Sequence, residues 1–574
     1  KFSKKYFQRF KINTMDTFKD YNAYKQFQPQ YANWKSQRDK QEAKRLAYLE
    51  KHPELKNKED IQRGKTLLKA IDILDEYSQS SAENTELATE IVSQQILGAI
   101  SLAGSALGLG AMYLKPIRKY FDKMSKTSET LAMIAMLVPT MVGGAIASLA
   151  AFPIMAWAAK VETGASRKGR LEAMQTKLQN PANFAILTDE QLQKVKEESA
   201  NIKLSKEETE TITPKFSFKE SINILKNFNK QEEIERLDHE NFKKLIHEDE
   251  ITTDFELSTD ELEKAKRDQQ ILTKLVEKID LASQDYAENV EFATNALTLF
   301  SPLCGLGIGW LSNKINHLLK VKPENMPAKI APWALGLIGT IGVAAFSTSI
   351  QKQASRVGRF NVRQELAKNP EQLIYVDDEK VNAEITDNIE IKSKKRPNFF
   401  KFLWQVFKDN QTYKKYQKSE GLEDKKFNKA LEKIELSADQ LREAEILQRN
   451  TFKTFNKVDE MSQKYSENVE AVGNSLKQPL SLICTTVGAL VGFKYLTRIP
   501  DAVGSKTTGI KNLDAILKGA LKYLGSILIS CVPIIAFDFY VTKEQKAASR
   551  VANMQAINEL GDVKNFAGYK IKGT

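Results

Sequence analysis

Cysteine and histidine are nearly missing from this chain: three Cys and four His in 574 residues. Three thiols cannot build a disulfide framework. His52, His239, His247 and His317 are scattered, with no H-E-x-x-H or other metal-ligand spacing. Cys304, Cys484 and Cys531 all lie in apolar stretches, where a thiol acts as a small hydrophobe. The chain also has no G-x-S-x-G elbow, no Walker A loop and no kinase signature set. No catalytic residues, no metal and no cofactor are therefore expected, and the chain reads as a non-enzyme. Charge of one sign is not in large excess either. The 85 Lys and Arg exceed the 73 Asp and Glu by 12, but Lys and Glu alternate almost everywhere. Such a balance gives no reason to expect a nucleic-acid partner.

What the chain does have is six apolar blocks, at roughly 91–114, 131–159, 295–312, 330–350, 478–496 and 514–541. A helix needs about 20 mostly apolar residues to cross a bilayer. The blocks come in pairs, which predicts three helical hairpins separated by long polar segments. Ionisable residues are almost absent from the block interiors. Asp514, Lys518, Lys522 and Asp538 sit near the ends of the sixth. That shortage argues against ion-coupled transport but not against a passive pore.

The strongest signal is internal repetition. Ser78-Gln79, Ser283-Gln284 and Ser462-Gln463 precede the three hairpins, each followed five residues after the Ser by a Glu-Asn-x-Glu motif. These motifs begin at Glu83, Glu288 and Glu467 and end at Glu86, Glu291 and Glu470. Asp75, Asp280 and Asp459 precede each copy at the same spacing. After the hairpins come Ala165-Ser166-Arg167, Ala354-Ser355-Arg356 and Ala548-Ser549-Arg550. The first two copies run on through Gly169-Arg170 and Gly358-Arg359 to Asn180-Pro181 and Asn369-Pro370. The third has Ala552-Asn553 and lacks the Asn-Pro. Ser258 with Glu261, and Ser437 with Gln440, have capping-box spacing and predict helices starting near 259 and 438. Two units share a basic and aromatic opening, Pro214–Lys219 and Pro397–Phe402. Phe399, Leu403 and Phe407 there share one helical face, which suits a headgroup layer or a core.

The Glu pairs lie about eight residues before one block and the Arg about eight residues after the next, at matching height on antiparallel helices. Glu83, Glu86, Glu288, Glu291, Glu467 and Glu470 with Arg167, Arg356 and Arg550 therefore predict an ion-paired stalk within each unit. The sharper alternatives are a carboxylate ring at a pore mouth, or Arg binding to anionic headgroups. Within the blocks, G-x-x-x-G pairs recur: Gly104 with Gly108, Gly305 with Gly309, and Gly488 with Gly492. Small residues at that spacing predict close helix packing.

The layout of three two-helix repeats is similar to that of the mitochondrial carriers. Their P-x-[DE]-x-x-[KR] signature is missing, however. Pro116 leads to Ile117-Arg118, and Pro500-Asp501 to no basic residue three positions on. The motifs identify no family. The expected fold is an all-α integral membrane protein of three tandem repeats, at 1–200, 201–390 and 391–574. Each repeat joins a helical polar domain to a transmembrane hairpin (about 91–159, 295–350 and 478–541), giving six pseudo-threefold transmembrane helices. Two crossings per unit put every polar domain on one face, taken as cytoplasmic. The expected role is a membrane scaffold whose partners are the lipid bilayer and other proteins or the repeats themselves. The alternative is a channel or transporter along the threefold axis. A third reading is a peripheral assembly whose hairpins are buried by a partner complex.

Overall fold

The structure is a computed structural model, and it describes residues 2–111, 114–125, 152–205, 240, 256–318, 326–386, 399–495, 511–560 and 569–571. Among these the chain is helical almost throughout. Helix α1 (Phe2–Lys51) leads into α2 (Lys58–Ala111), the short α3 (Lys115–Ser125), α4 (Phe152–Thr176) and α5 (Asp189–Asn201). The second unit holds α6 (Thr259–Leu318), α7 (Met326–Lys368) and α8 (Asp378–Glu384). The third holds α9 (Phe399–Leu431), α10 (Ala438–Tyr495) and α11 (Lys511–Glu559). Two short strands, β1 (Glu256–Leu257) and β2 (Lys570–Ile571), pair in parallel and bring the last described residues back to the start of α6.

Local sequence sets the helix boundaries. At α6, Glu261 N–H donates to Ser258 Oγ (3.2 Å) and Ser258 N–H to the Glu261 carboxylate (2.7 Å). At α10, Ser437 and Gln440 form the same reciprocal pair at 3.2 and 3.0 Å. Each box satisfies two backbone donors that a helix start leaves unpaired. Thr188 and Gln191 cap α5 likewise. Helix α7 ends at Lys368, directly before Asn369-Pro370, where proline cannot continue the hydrogen-bond ladder, and α4 ends at Thr176, four residues before Asn180-Pro181; each Asn-Pro pair opens a single 3-10 turn.

Three hairpins form the body: α2 with α4, α6 with α7, and α10 with α11. They close on one another in a ring. Helix α4 packs on α10, α11 on α6, and α7 on α2, so each descending helix lies against the ascending helix of another unit. The apolar core sits at the base of this ring. Leu67, Ile71 and Leu74 of α2 meet Leu272 and Leu275 of α6 and Leu447, Phe452 and Phe455 of α10 there. Phe184, from the Asn-Pro turn, is fully buried edge-on to Phe452 at 6.0 Å. Burying a side chain of that size is worth about 2–3 kcal/mol.

The opening helices follow the same cyclic order. Tyr24 of α1 packs with Tyr465, Val469 and Ala548 of the third hairpin. Phe402 and Val406 of α9 pack with Tyr286, Val290 and Ala354 of the second. Tyr465 and Tyr286, Val469 and Val290, and Ala548 and Ala354 hold equivalent repeat positions, so both helices dock on one kind of surface. Of the aromatic face expected on α9, Phe407 lies against Trp404, which is largely exposed.

The expectation of six transmembrane helices is corrected here. Among the described residues, no helix is long and apolar enough to cross a membrane. Among the described residues, the first, third, fourth, fifth and sixth apolar stretches are parts of much longer helices, and polar residues interrupt them. Ser93, Gln94 and Gln95 fall in the first, Ser301 and Pro302 in the third, and Lys518, Lys522 and Pro533 in the sixth. Residues 131–151 of the second stretch lie outside the described residues, as do Pro214–Lys219 and Pro397-Asn398. The integral-membrane fold class and the membrane location with cytoplasmic polar domains are both withdrawn on this finding. An apolar run reports that a segment is buried, and does not say whether lipid or protein buries it.

Candidate functional site: a cyclic lock around a polar chamber

The repeated residues converge on one level of the ring, just above the apolar base. Within each unit, a Ser on the ascending helix meets the Ala-Ser-Arg segment of the descending one. Ser78 bonds Ser166, Ser462 bonds Ser549, and Ser283 Oγ donates to the Ser355 carbonyl at 3.1 Å. The helices come close enough there to require glycine in two units. A Cβ on Gly169 would lie 2.3 Å from the Tyr77 carbonyl oxygen, and one on Gly358 2.8 Å from Ser283 Cα. The third unit carries Ala552 at this position.

Between units, the arginines reach across to the next ascending helix. Arg356 of α7 lies 3.2 Å from Glu83 and 3.2 Å from Glu76 of α2. Arg359 meets Asp75 at 3.4 Å and Gln79 at 2.9 Å, and Arg363 meets Asp72 at 2.7 Å. Arg550 of α11 holds Asp285 at 2.6 Å and Glu288 at 3.2 Å on α6, and Lys546 holds Glu291 at 3.0 Å. Arg167 of α4 reaches Glu460 of α10 at 3.4 Å, and the fully buried Arg170 pairs with Asp459. Two amides complete the pattern: Gln463 Nε2 donates to Ser166 Oγ (2.6 Å) and Gln284 Nε2 to Ser549 Oγ (2.7 Å).

The structure therefore joins Arg356 to Glu83 and Arg550 to Glu288, both across unit boundaries. Arg167 goes to Glu460 rather than to a motif glutamate. Glu470 accepts from Gln545 within its own hairpin at 2.7 Å, and Glu467 lines the axial chamber. Glu86 lies on α2, its side chain outside the described ones. So do the surroundings of Gly104 and Gly108 on α2, Gly305 and Gly309 on α6, and Gly488 and Gly492 on α10.

Electrostatics differ from unit to unit. Burial, opposed by Arg359, pushes the Asp75 carboxyl up to about 6. Burial and the charge of Asp75 push Asp280 up to about 7, against the hydrogen bonds of Gln284 and Asn553 and the charge of Arg550. Burial works against the charge of Arg359, but Asp75, Asp72 and Glu76 outweigh it and hold Arg359 above its ordinary value. Below the chamber, Arg63 of α2 is buried among Asp268 of α6 (2.9 Å), Glu443 of α10 and Glu59 (3.1 Å), tying all three ascending helices. Sequence reasoning missed Arg63, because no repeated motif marks it.

Among the described residues, no group of three or more His, Cys, Asp and Glu side chains is placed to hold a metal ion. No family model matches the chain, and no curated protein or solved structure matches it either.

Proposed function

We propose that this chain is a non-enzymatic scaffold, a ring of three helical hairpins that associates with further copies of itself through its apolar hairpin faces. The observation that carries the reading is the cyclic lock. Among the described residues, the recurring serines, acids and arginines are engaged in pairing and packing between helices, and none of those described forms a nucleophile–base or acid–base constellation. A frame tied at every unit boundary suits a protein that holds others in place. Above the lock, Leu107 on α2 and Ile338 on α7 are 76% and 63% exposed, and Leu476 on α10 is half-exposed. Apolar side chains on a stiff frame are the usual material of a protein contact.

Light scattering on the full chain tests this. The expected result is a mass above the 64.9 kDa monomer that grows with concentration. Leu107→Lys combined with Ile338→Lys should return the chain to monomer mass with its helical circular dichroism intact. A chain that stays monomeric at all concentrations would overturn the reading.

A further inference from the structure

The lock surrounds a chamber of about 310 Å³ on the pseudo-threefold axis, room enough for several waters or a small organic ion. Its floor is apolar, made by Ile71, Val276 and Phe455 from equivalent positions of the three ascending helices. One helical turn higher stand Asp75, Asp280 and Asp459, again at equivalent positions. Glu467 and Glu470 line it further along α10, and Arg359 is the one basic side chain among the described lining residues.

The threefold pattern is broken at a single point. Asp75 faces Arg359 and Asp459 faces Arg170, whereas Asp280 faces Asn553, the residue the third unit has in place of that arginine. Gln284 and Asn553 both turn their amide nitrogens to Asp280. Their oxygens are left over. Asn553 is only 4% exposed, and its Oδ1 is buried with no hydrogen-bond partner. Gln284 Oε1 and Gln463 Oε1, also on the chamber wall, are in the same condition. A buried acceptor without a donor costs about 1–3 kcal/mol, so three of them beside a carboxylate that two amides contact, where its two counterparts face a guanidinium, call for a ligand. The unmet amide atoms are all acceptors, and Arg359 Nε, which also lacks a hydrogen bond, lies 3.4 Å from the Asp75 carboxylate. Oxygen acceptors suit a cation of either kind, but among the described residues no three acidic side chains are placed to hold a metal ion, which favours a cation carrying N–H donors.

The acids are also spread along the axis. Glu467 and Glu470 follow Asp459 by eight and eleven residues, about 12–16 Å along the helix. We propose that the chamber binds a linear polyamine. One ammonium group lies against Asp280 and the amide oxygens of Gln284 and Asn553, in place of the missing guanidinium, and a second points towards Glu467 and Glu470. The chain as a whole carries a formal charge of +12, so its surface at large repels a polycation and a saturable site must be local.

Titration calorimetry of the full chain with spermidine tests the proposal, with MgCl₂ and KCl at matched ionic strength as controls. One spermidine per chain is expected, with no matching response to either salt. Asp280→Asn removes the charge at constant size, and Asn553→Arg restores the threefold arginine. Each should weaken binding at least tenfold while the thermal melt stays cooperative. Absence of saturable binding, equal binding of Mg²⁺, or affinity unchanged in Asp280→Asn would overturn it. Should Asn553→Arg fail to fold, Asp280→Asn alone decides.

Discussion

Asp280 and Gly169 show how one repeat position can carry different physics. The carboxyl of Asp280 sits at about 7, above its ordinary 3.8, because burial and Asp75 disfavour its charge more than Gln284, Asn553 and Arg550 support it. A raised acid pKa means that the folded state holds the proton more tightly. The associated stability is fully present below about pH 3.8 and is lost as pH rises through about 7. Asp280→Asn should thus raise stability at pH 8 by roughly 1–3 kcal/mol, chamber water softening the full cost of burial, and leave it little changed at pH 4. Urea melts at the two pH values check this; an equal gain at both would exclude the charge as the cause. Gly169 makes an opposite test of sign. Alanine within a helix ordinarily gains about 1 kcal/mol over glycine. At Gly169 the new Cβ would strike backbone at 2.3 Å, so Gly169→Ala should instead cost about 1–3 kcal/mol in chemical denaturation.

At the scale of elements, much was legible. The Ser-x-x-Glu and Ser-x-x-Gln spacings marked where α6 and α10 begin, since a capping box is a local contact that four consecutive residues specify. Ser437→Ala should cost about 1 kcal/mol and speed amide exchange in the first turn of α10 while leaving its middle protected. The partners of the arginines were not legible. In a ring of antiparallel helices, a descending helix has one ascending neighbour in its own unit and another in the next, both at the same height. Sequence spacing fixes height alone. In units one and two the close approach at Gly169 and Gly358 brings the two helices of a unit together through serine and leaves the arginines to the next unit; in unit three, with Ala552 there, the Ser462–Ser549 contact is kept and Arg550 crosses likewise. The apolar stretches misled for a related reason. Their composition requires burial and the polar residues within them stand in the sequence, while the length of the helices they belong to shows only in the assembled elements.

For the whole molecule, the informative positions are those where the repeats differ. Arg63 and Asp268 occupy the same position of units one and two, and Leu447 occupies it in unit three. Identity between copies could never mark this site, because its residues are complementary and do not repeat. Arg63 and Asp268 are buried almost completely, at 5% and 2% exposed, so each depends on the other for its charge. Burial pushes Asp268 up to about 6 even beside Arg63. Removing one partner leaves a buried charge uncompensated. Arg63→Leu or Asp268→Leu alone should therefore cost about 3–5 kcal/mol. Arg63→Leu with Asp268→Leu converts the position to the apolar form already present at Leu447. Desolvation then no longer opposes folding, and the double variant should recover most of the loss, the remainder reflecting Glu443 and Glu59 left without Arg63. Denaturant melts of the full chain give all four corners of the cycle. A coupling above about 2 kcal/mol would identify the pair as the device that seats unit two on unit one. A coupling near zero would place the registration of the ring in the arginine lock above it.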